Sequence, residues 1–318
     1  MKKNIWKFIL TKLEKNISVV LLVVAQSKGS APGRQGFKMA VSGDNELFGT
    51  IGGGKIEFDL VEYSKKIIAE NESVKELKKF VHQQSEKDSS GMICGGSQDV
   101  IIWKFCEDDI ENINVLLEAE KNFIPKIVSF NNNRLEITKC NLKTMKYVFS
   151  LENEDWEYSE KAGISDKVYI VGAGHVGLAT ANLLNLLNFE VILLDHRNDL
   201  DLSSINKNEI KFQIIDKYVN VDQFLEEGEN SYVVIVTFEH SGDEEALKSL
   251  IGKNLKYLGM MGSKRKVKEI KENLLKAGIK EEIFENIHSP IGVKIKSETP
   301  DEIAVSIAAE IIDVKNSN

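Results

Sequence analysis

The stretch that decides the fold runs Val168-Tyr-Ile-Val-Gly-Ala-Gly-His-Val-Gly177. An apolar run leads into the pattern G-x-G-x-x-G, and an apolar segment with helical character follows it, which is the context of a dinucleotide-binding βαβ unit. In such units Gly172 permits a tight turn, Gly174 lets the backbone approach a pyrophosphate, and Gly177 lets the helix pack closely on the strand. The stretch therefore predicts a Rossmann-type parallel sheet in the C-terminal half.

Several groups around this turn are candidates for binding a dinucleotide. The first N–H groups of the helix would face the phosphates, and His175 either orients a phosphate or is an exposed residue at a helix start. Asp195 ends the next strand, about 20 residues on, where a carboxylate accepts ribose hydroxyl groups and favours NAD over NADP. Arg197 is close enough in sequence to weaken that preference. The turn either holds a dinucleotide, holds another phosphorylated ligand, or only packs.

Strand and helix patterns alternate regularly through the C-terminal half, which is typical of a parallel sheet covered on both faces. Strands are predicted at residues 168–171, 190–194, 210–215, 232–237 and 257–260, and helices at 176–188, 243–250, 264–277 and 300–315. Thr299, Pro300 and Glu302 form a capping-box sequence that fixes the start of the last helix.

The N-terminal half is predicted to be a smaller α/β domain. An amphipathic first helix, with apolar residues at helical spacing from Trp6 to Leu13, precedes strands at residues 18–25, 98–106 and 124–130 and helices at 56–70 and 109–122. Residues 126–130 and 134–139 read as a hairpin. Residues 151–166 are polar and without periodicity, so the domains are predicted as 1–150 and 167–318 with a linker between them.

Composition excludes some classes of function. The chain has 318 residues, of which 42% are hydrophobic and 28% charged, and its formal net charge of −8 argues against a nucleic-acid partner. The apolar stretch 17–25 is too short to cross a bilayer, so no membrane association is expected. Three cysteines give no disulfide framework and no zinc pair, which favours a reducing cytoplasm and predicts no metal site.

Two glycine-rich loops of the N-terminal half carry polar groups suited to an anion. The first, residues 27–36, contains Gly29, Ser30, Lys28 and Arg34, so main-chain N–H groups and two cations could surround a ligand. The second holds Gly52, Gly53 and Gly54 immediately before a helix, whose N-terminus they leave open to a ligand. Glu57 follows in the first turn of that helix, either as a partner of the helix dipole or in a coordinating or hydrogen-bonding role.

A third loop places a cysteine between glycines. Cys94 is followed by Gly95 and Gly96 and by a predicted strand, and neighbouring N–H groups would favour its thiolate. A functional role in sulfur or metal handling is therefore preferred over a buried structural cysteine. Cys106, at the end of an apolar run, fits the buried structural role instead.

These segments resemble the XdhC/CoxI family when they are taken in order. The resemblance rests on Gly-Ser-Ala-Pro at 29–32, Gly-Thr-Ile-Gly-Gly-Gly-Lys-Ile-Glu at 49–57, Cys-Gly-Gly at 94–96, Gly-Ala-Gly-His-Val-Gly at 172–177, Tyr-Leu-Gly-Met-Met-Gly-Ser-Lys-Arg-Lys at 257–266, and the tail from Pro290 to Glu310. One departure is Gly33, which separates the proline from Arg34, whereas the family has arginine directly after proline.

The resemblance implies an accessory factor for molybdenum hydroxylases such as xanthine dehydrogenase. Such a factor binds the molybdenum cofactor (molybdopterin), assists its sulfuration by a cysteine desulfurase and passes it to the apoenzyme, with no turnover of its own. The glycine loops and the Rossmann turn would hold the cofactor, while Cys94 would bind the metal centre, hold a persulfide or line the site. The resemblance also implies a homo-oligomer.

Later motifs add candidates near the predicted crevice. Gly262, Ser263 and Arg265 follow a strand and open a helix, another terminus suited to an anion, although a solvated basic helix face is an equally simple interpretation. His240 follows the fourth strand and is a candidate acid or base, or an ordinary loop histidine.

The sequence leaves a second function open, an NAD(P)-dependent oxidoreductase that uses the Rossmann domain. The fingerprint and Asp195 support it, but no acid for hydride transfer, such as a Lys/Tyr pair, stands out. A third interpretation is a nucleotide- or redox-sensing partner protein whose glycine loops only pack.

Overall fold

A computed structural model describes residues 4–82, 96–122, 124–140, 146–163 and 166–317. The chain divides into two compact units, Lys3–Ile164 and Ser165–Asn318.

The N-terminal unit contains an antiparallel sheet of five strands, in the order β3-β2-β1-β5-β4. Its strands and the flanking helices are α1 (Ile5–Leu13), β1 (Val19–Lys28), β2 (Lys38–Ser42), β3 (Leu47–Gly49), α2 (Gly54–Ala69), β4 (Lys75–His82), β5 (Gly96–Lys104) and α3 (Asp109–Lys121). The central strand β1 is buried on both faces because alternate residues enter two different cores: Leu22 packs in the α2 core, and Leu21 packs in the core that α1 and α3 share.

The second sheet of this unit is also antiparallel and follows the order β7-β6-β9-β8. Its strands are β6 (Lys126–Asn131), β7 (Leu135–Lys139), β8 (Tyr147–Glu152) and β9 (Asp155–Ala162). The predicted hairpin is confirmed as β6 and β7, which pair from Lys126 opposite Lys139 to Phe130 opposite Leu135.

Most of the stretch predicted as a linker is a strand, and this corrects the sequence interpretation. Residues 155–162 form β9, which pairs with both β6 and β8. Trp156, Tyr158 and Glu160 are buried, while the residues between them point outward. Period-two alternation was therefore present, but a buried glutamate and many charged outward residues disguised it as a polar segment.

The edge strand β4 was not predicted either, because its sequence is dominated by lysine. Lys75 lies over the ring of Trp103 at 4.6 Å and Lys78 over the ring of Tyr63 at 3.6 Å, so the aliphatic stems of these lysines cover aromatic surface. Charged side chains are common on edge strands because they discourage further strand pairing.

The C-terminal unit confirms the Rossmann-type prediction. Its six-stranded parallel sheet has the order β12-β11-β10-β13-β14-β15, which is the 3-2-1-4-5-6 order of doubly wound dinucleotide-binding sheets. The elements are β10 (Lys167–Val171), α4 (His175–Leu186), β11 (Glu190–Asp195), β12 (Ile210–Ile214), β13 (Gly228–Ile235), α5 (His240–Leu250), β14 (Leu255–Met260), α6 (Lys264–Lys276), β15 (Ile287–His288) and α7 (Pro300–Asn316).

Helices cover both faces of this sheet, so its central strand β10 is buried along its whole length, whereas the edge strand β12 alternates apolar and polar residues. Residues of α4 and α7 pack in one core, and residues of α5 and α6 pack in the other. A 3₁₀ helix, Tyr218–Phe224, contributes to the second core. The predicted capping box of α7 is present, because Thr299 accepts from the N–H of Glu302 and the Glu302 carboxylate accepts from the N–H of Thr299. In the described part of the chain, no helix has the length and apolar character needed to span a membrane.

Candidate functional site

Of the three glycines in the Rossmann turn, two lie against main-chain atoms and leave no room for a side chain, and the third faces open space. Gly172 has a φ of 113°, and a Cβ there would lie 2.4 Å from the carbonyl oxygen of Val236. A Cβ on Gly177 would lie 1.9 Å from the oxygen of Gly172, so both positions exclude side chains. Around Gly174, by contrast, no described atom comes within 4 Å of a Cβ position, so this side of the turn can admit a ligand.

The first turn of α4 contributes His175 and a set of main-chain donors. Gly174 is the N-cap residue and supplies no side-chain cap, and His175, the first helical residue, is exposed. One donor of the turn is already engaged, since the N–H of Ala173 donates to Asp195 at 2.7 Å.

Asp195 lies at the end of β11, as predicted, but other groups of the protein already donate hydrogen bonds to its carboxylate. It is 0% exposed. Its Oδ1 accepts from the main-chain N–H and the Nε of Arg197, each at 3.0 Å, and its Oδ2 accepts from Arg197 Nη2 at 2.8 Å and from Ala173. Burial alone would raise the pKa of Asp195, but these hydrogen bonds and the Arg197 charge outweigh it and lower the pKa. In this conformation the predicted ribose acceptor has no lone pair left for a ribose hydroxyl.

Thr237 and Asp243, which the sequence places at the carboxyl edge of the sheet after its fourth strand, form a polar network whose pairings the sequence did not predict. Asp243 is 1% exposed, and its Oδ1 accepts from the N–H of Thr237 at 2.9 Å and from the Thr237 hydroxyl at 2.6 Å. The ammonium of Lys266, from the first turn of α6, pairs with the other carboxylate oxygen. Lys266 was visible in sequence only as one of several lysines, and its direction toward α5 depends on helix packing.

The other candidates in this unit lie on the exposed helix starts. His240 is the first residue of α5, is exposed, and has its Nε2 3.9 Å from Glu269 of α6. Ser263 is the N-cap of α6 and accepts from the N–H of Lys266 at 3.2 Å, so its hydroxyl has a structural partner. A Cβ on Gly262 would lie 3.1 Å from the Lys266 side chain, and Arg265 is exposed.

In the N-terminal unit, the glycine-rich loops predicted from sequence meet main chain against main chain. We call residues 29–34, residues 49–54 and Gly96 together the loop cluster. A Cβ on Gly33 would lie 2.0 Å from the oxygen of Ile51, and one on Gly52 would lie 2.3 Å from the nitrogen of Gly33. A Cβ on Gly96 would lie 2.5 Å from the nitrogen of Ala31. Gly33, the position that departs from the family pattern, is therefore what allows the two loops to approach.

Glu57 holds the second loop in place from inside. Its Oε2 accepts from the Thr50 hydroxyl at 2.6 Å and from the N–H groups of Ile51 at 2.8 Å and Gly53 at 3.1 Å. Burial would raise the pKa of Glu57, but these hydrogen bonds outweigh it, so the pKa is lowered. Of the two roles predicted, the structure shows hydrogen bonding, directed at the loop itself.

One side of the loop cluster is open. Gly52, Gly53 and Gly54 all have positive φ, and at the last two no described atom comes within 4 Å of a Cβ position. Helix α2 begins there without a side-chain cap. Gly29, Ser30 and Arg34 are exposed on the neighbouring loop. Cys94 and Gly95, which precede the buried Gly96, lie outside the described residues.

Cys106 differs from its prediction as a buried structural cysteine. It lies two residues past the end of β5, is exposed, and lines a cavity of about 370 Å³ with residues that include Asn71, Lys104 and Ile110. Partial burial and the neighbouring Asp109 raise the pKa of its thiol, which disfavours the thiolate. Ser18, at the other end of β1 from the loop cluster, also lines this cavity. The described residues contain no group of three or more His, Cys, Asp or Glu side chains that could hold a metal ion.

Comparison with known protein families identifies both units. The sequence profile described as "XdhC Rossmann domain" matches residues 168–311, and the one described as "XdhC and CoxI family" matches residues 13–80. Together the two profiles cover most of the chain. The chain belongs to the XdhC/CoxI family.

Individual relatives of this XdhC/CoxI chain are distant. A protein of Escherichia coli K12 described as uncharacterized protein YqeB is 26% identical over 96% of the chain. The chain spans about half of that relative, 45% of its length. A protein of Bacillus subtilis described as a probable xanthine dehydrogenase subunit is 22% identical, with 95% of each protein covered. A crystal structure described as a xanthine dehydrogenase from Bacillus halodurans shares the fold, with a TM-score of 0.74, 19% identity, and coverage of 98% of this chain and 96% of that one.

Proposed function

We propose that this protein is an accessory factor that helps to mature a molybdenum hydroxylase of the xanthine dehydrogenase type and that binds molybdenum cofactor at the loop cluster. The observation that carries the proposal is the meeting of the family's glycine motifs at one place beside the start of α2, where the faces of Gly53 and Gly54 are open. Family membership and the name of the B. subtilis relative support the choice of client enzyme.

The chemistry of the loop cluster fits such a cofactor. A pterin cofactor carries a phosphate and a metal held by two sulfur atoms, so its site needs main-chain donors and cations. Glu57 already engages the N–H groups of Ile51 and Gly53, so the donors left for a ligand are those of the first turn of α2. Ser30 and the cation Arg34 are exposed on the adjoining loop.

Bound pterin is the direct test of this proposal. The protein is purified from cells that make molybdenum cofactor, oxidised, and assayed for fluorescent pterin. We expect pterin with the wild type and less with Arg34→Gln, while Arg134→Gln, which removes an exposed arginine on the β6–β7 hairpin, retains the wild-type amount. A wild-type protein that carries no pterin, and binds none when cofactor is supplied anaerobically, would contradict the proposal.

We also propose that Cys94 acts in sulfuration or delivery of the cofactor, with a cysteine desulfurase and the apoenzyme as partners. The proposal rests on the Cys-Gly-Gly motif and on the expectation that neighbouring main-chain N–H groups favour the reactive thiolate. Cys94→Ser is expected to retain pterin but to fail in activating apoenzyme with sulfurated cofactor. A variant that activates the apoenzyme as fully as wild type would clear Cys94 of an essential role. Cys106→Ser is the matched control.

Two further expectations remain to be measured. The homo-oligomer implied by the family resemblance is tested by light scattering of the purified protein.

The oxidoreductase alternative gains some support from the open face at Gly174, which suits a dinucleotide pyrophosphate. It requires a substrate-dependent change in NAD(P)H absorbance, and its absence across candidate hydroxy- and oxo-substrates would count against this alternative.

A further inference from the structure

The Rossmann crevice differs from that of an NAD-binding protein in its ribose acceptor. In such proteins a carboxylate at the end of the second strand accepts hydrogen bonds from the ribose hydroxyl groups. Here Asp195 is 0% exposed and already accepts four hydrogen bonds, three from Arg197 and one from Ala173. A carboxylate offers about four lone-pair positions. An unphosphorylated ribose therefore finds no acceptor at Asp195.

Arg197 offers donors in place of that acceptor. A guanidinium has five N–H groups, and Asp195 takes one from Nε and one from Nη2. The remaining three make no hydrogen bond within the described part of the chain, and the side chain is 27% exposed. The free edge, formed by Nη1 and Nη2, has the geometry that binds two phosphate oxygens at once.

An aromatic ring lies beside this guanidinium. Phe238, which follows β13, is 80% exposed, and the guanidinium carbon of Arg197 is 5.7 Å from its ring centroid. The exposed ring therefore offers a flat apolar surface next to the free edge of the guanidinium. A flat base that stacks on Phe238 would cover the ring while leaving Arg197 in reach of the sugar attached to that base.

Tyr218 is a buried neighbour of Asp195. The residue is 5% exposed, and its hydroxyl makes no hydrogen bond of ordinary geometry with any described residue. Its ring stands edge-on to His196 at 4.9 Å, and its Cδ2 would lie 2.8 Å from a Cβ on Gly242. The side chain thus lies between the segments that follow β11 and β13. Burial, followed by the negative charge of Asp195, raises the pKa of Tyr218, so its hydroxyl stays neutral beside that carboxylate.

We propose that this crevice binds an adenine dinucleotide that carries a 2′-phosphate, the NADP class, in preference to NAD. Arg197 holds the 2′-phosphate through its free edge, Phe238 stacks on the adenine, and the pyrophosphate lies over Gly174 at the start of α4. Asp195 does not repel the 2′-phosphate because its charge is paired with Arg197 and buried. The preference is the reverse of the one that Asp195 suggested from sequence alone.

Binding to the purified protein tests the proposal without any molybdenum cofactor, so its outcome is independent of the pterin assay. Calorimetric titrations compare NADP with NAD, and 2′,5′-ADP with 5′-AMP, and inorganic phosphate serves as the probe for a nonspecific anion. We expect NADP and 2′,5′-ADP to bind about tenfold or more tightly than their unphosphorylated partners, since two charge-assisted hydrogen bonds distinguish them. Inorganic phosphate should not compete at comparable concentration.

Variants test whether Arg197 is the residue that determines the preference for NADP over NAD. Arg197→Gln is expected to bind NADP no better than NAD, and Arg197→Lys, which keeps the charge but loses the fork, to fall between. Arg134→Gln, in the other unit, removes the same charge and should leave the ratio of the two affinities unchanged. Because Arg197→Gln also weakens the pairing of Asp195, Phe238→Ala provides a second variant at an exposed position, and it should weaken both dinucleotides together.

The titrations distinguish results that overturn the proposal from the result that supports it. Equal affinity for NAD and NADP, binding of neither at millimolar concentration, or an NADP preference that survives in folded Arg197→Gln would each overturn the proposal. A preference lost in Arg197→Gln and reduced in Arg197→Lys, but kept in Arg134→Gln, supports it.

Discussion

At the scale of single residues, Glu57 is the side chain on which the open loop of the N-terminal unit depends. It accepts three hydrogen bonds from residues 50–53. We expect Glu57→Gln to lower the free energy of unfolding by about 1–2 kcal/mol, because an amide oxygen is a weaker acceptor than a carboxylate. Urea unfolding measures the loss, and Glu62→Gln, an exposed pair with Lys65 on the same helix, is the control.

The lowered pKa of Glu57 also gives a sign to the pH dependence. A carboxyl group whose pKa is lower in the folded state stabilises the fold above its ordinary pKa, and this contribution is lost as the pH falls toward the folded value. The stability difference between wild type and Glu57→Gln should therefore shrink on acidification below about pH 4.5. A difference that grows toward acid pH would contradict this role.

Asp195 is the second residue with a testable structural role. Removing the Asp195 carboxylate leaves the N–H groups of Ala173 and Arg197 without their acceptor, which costs about 1–3 kcal/mol. Asp195→Ala is expected to lose stability in this range, with thermal or urea unfolding as the measurement. Asp199→Ala, four residues on and exposed, should change stability by less than about 0.5 kcal/mol. Similar losses in both variants would show that Asp195 contributes no more stability than an exposed carboxylate.

At the scale of elements, helix α7 depends on its capping box for a defined start. Thr299 and Glu302 each satisfy a main-chain N–H of the other. Thr299→Ala is expected to cost about 1 kcal/mol, and Thr299→Ser should retain most of the stability because its hydroxyl can accept the same bond. Thermal unfolding distinguishes the two, and an alanine variant as stable as the serine variant would rule out the cap as a contributor.

At the scale of the whole molecule, stability should fall at both ends of the pH range. The Lys12 ammonium, with a hydrogen bond from Ser42, lowers the pKa of Asp44 from 3.8 to about 2. Stability that this carboxylate supplies is complete above pH 4 and is lost as the pH falls from about 4 to 2. Burial raises the pKa of Tyr147 from 10.0 to about 12, so its contribution is present below pH 10 and is lost as the pH rises toward 12.

Urea unfolding midpoints measured from pH 2 to pH 12 test this profile. Asp44→Asn should reduce the acid limb between pH 4 and 2, because the substituted side chain no longer titrates. Tyr147→Phe should reduce the alkaline limb above pH 10 for the same reason. An acid or alkaline limb identical to that of the wild type would contradict the corresponding assignment.

The sequence alone determined the features that depend on neighbours along the chain. The turn from Gly172 to Gly177, the apolar parallel strands and the α7 cap are local patterns, and a local pattern fixes local backbone geometry. The sequence pattern did not predict strand β9 because the buried face of this strand includes Glu160. The charge of Glu160 is paired with Lys38, which belongs to a strand far away in sequence. Its burial makes sense only once that partner is in place.

Only the tertiary structure decided which polar groups remain available to a ligand. The sequence predicts Asp195 as a ribose acceptor, but in the fold Arg197 and the N–H of Ala173 donate to its carboxylate. The sequence allows two roles for Glu57, and the hydrogen bond from the N–H of Gly53 to its carboxylate decides between them. Whether a donor or acceptor is free depends on groups that approach in space, and burial makes every such pairing count. The sequence identified the candidate polar groups, and the tertiary structure determined which of them are already hydrogen-bonded within the protein.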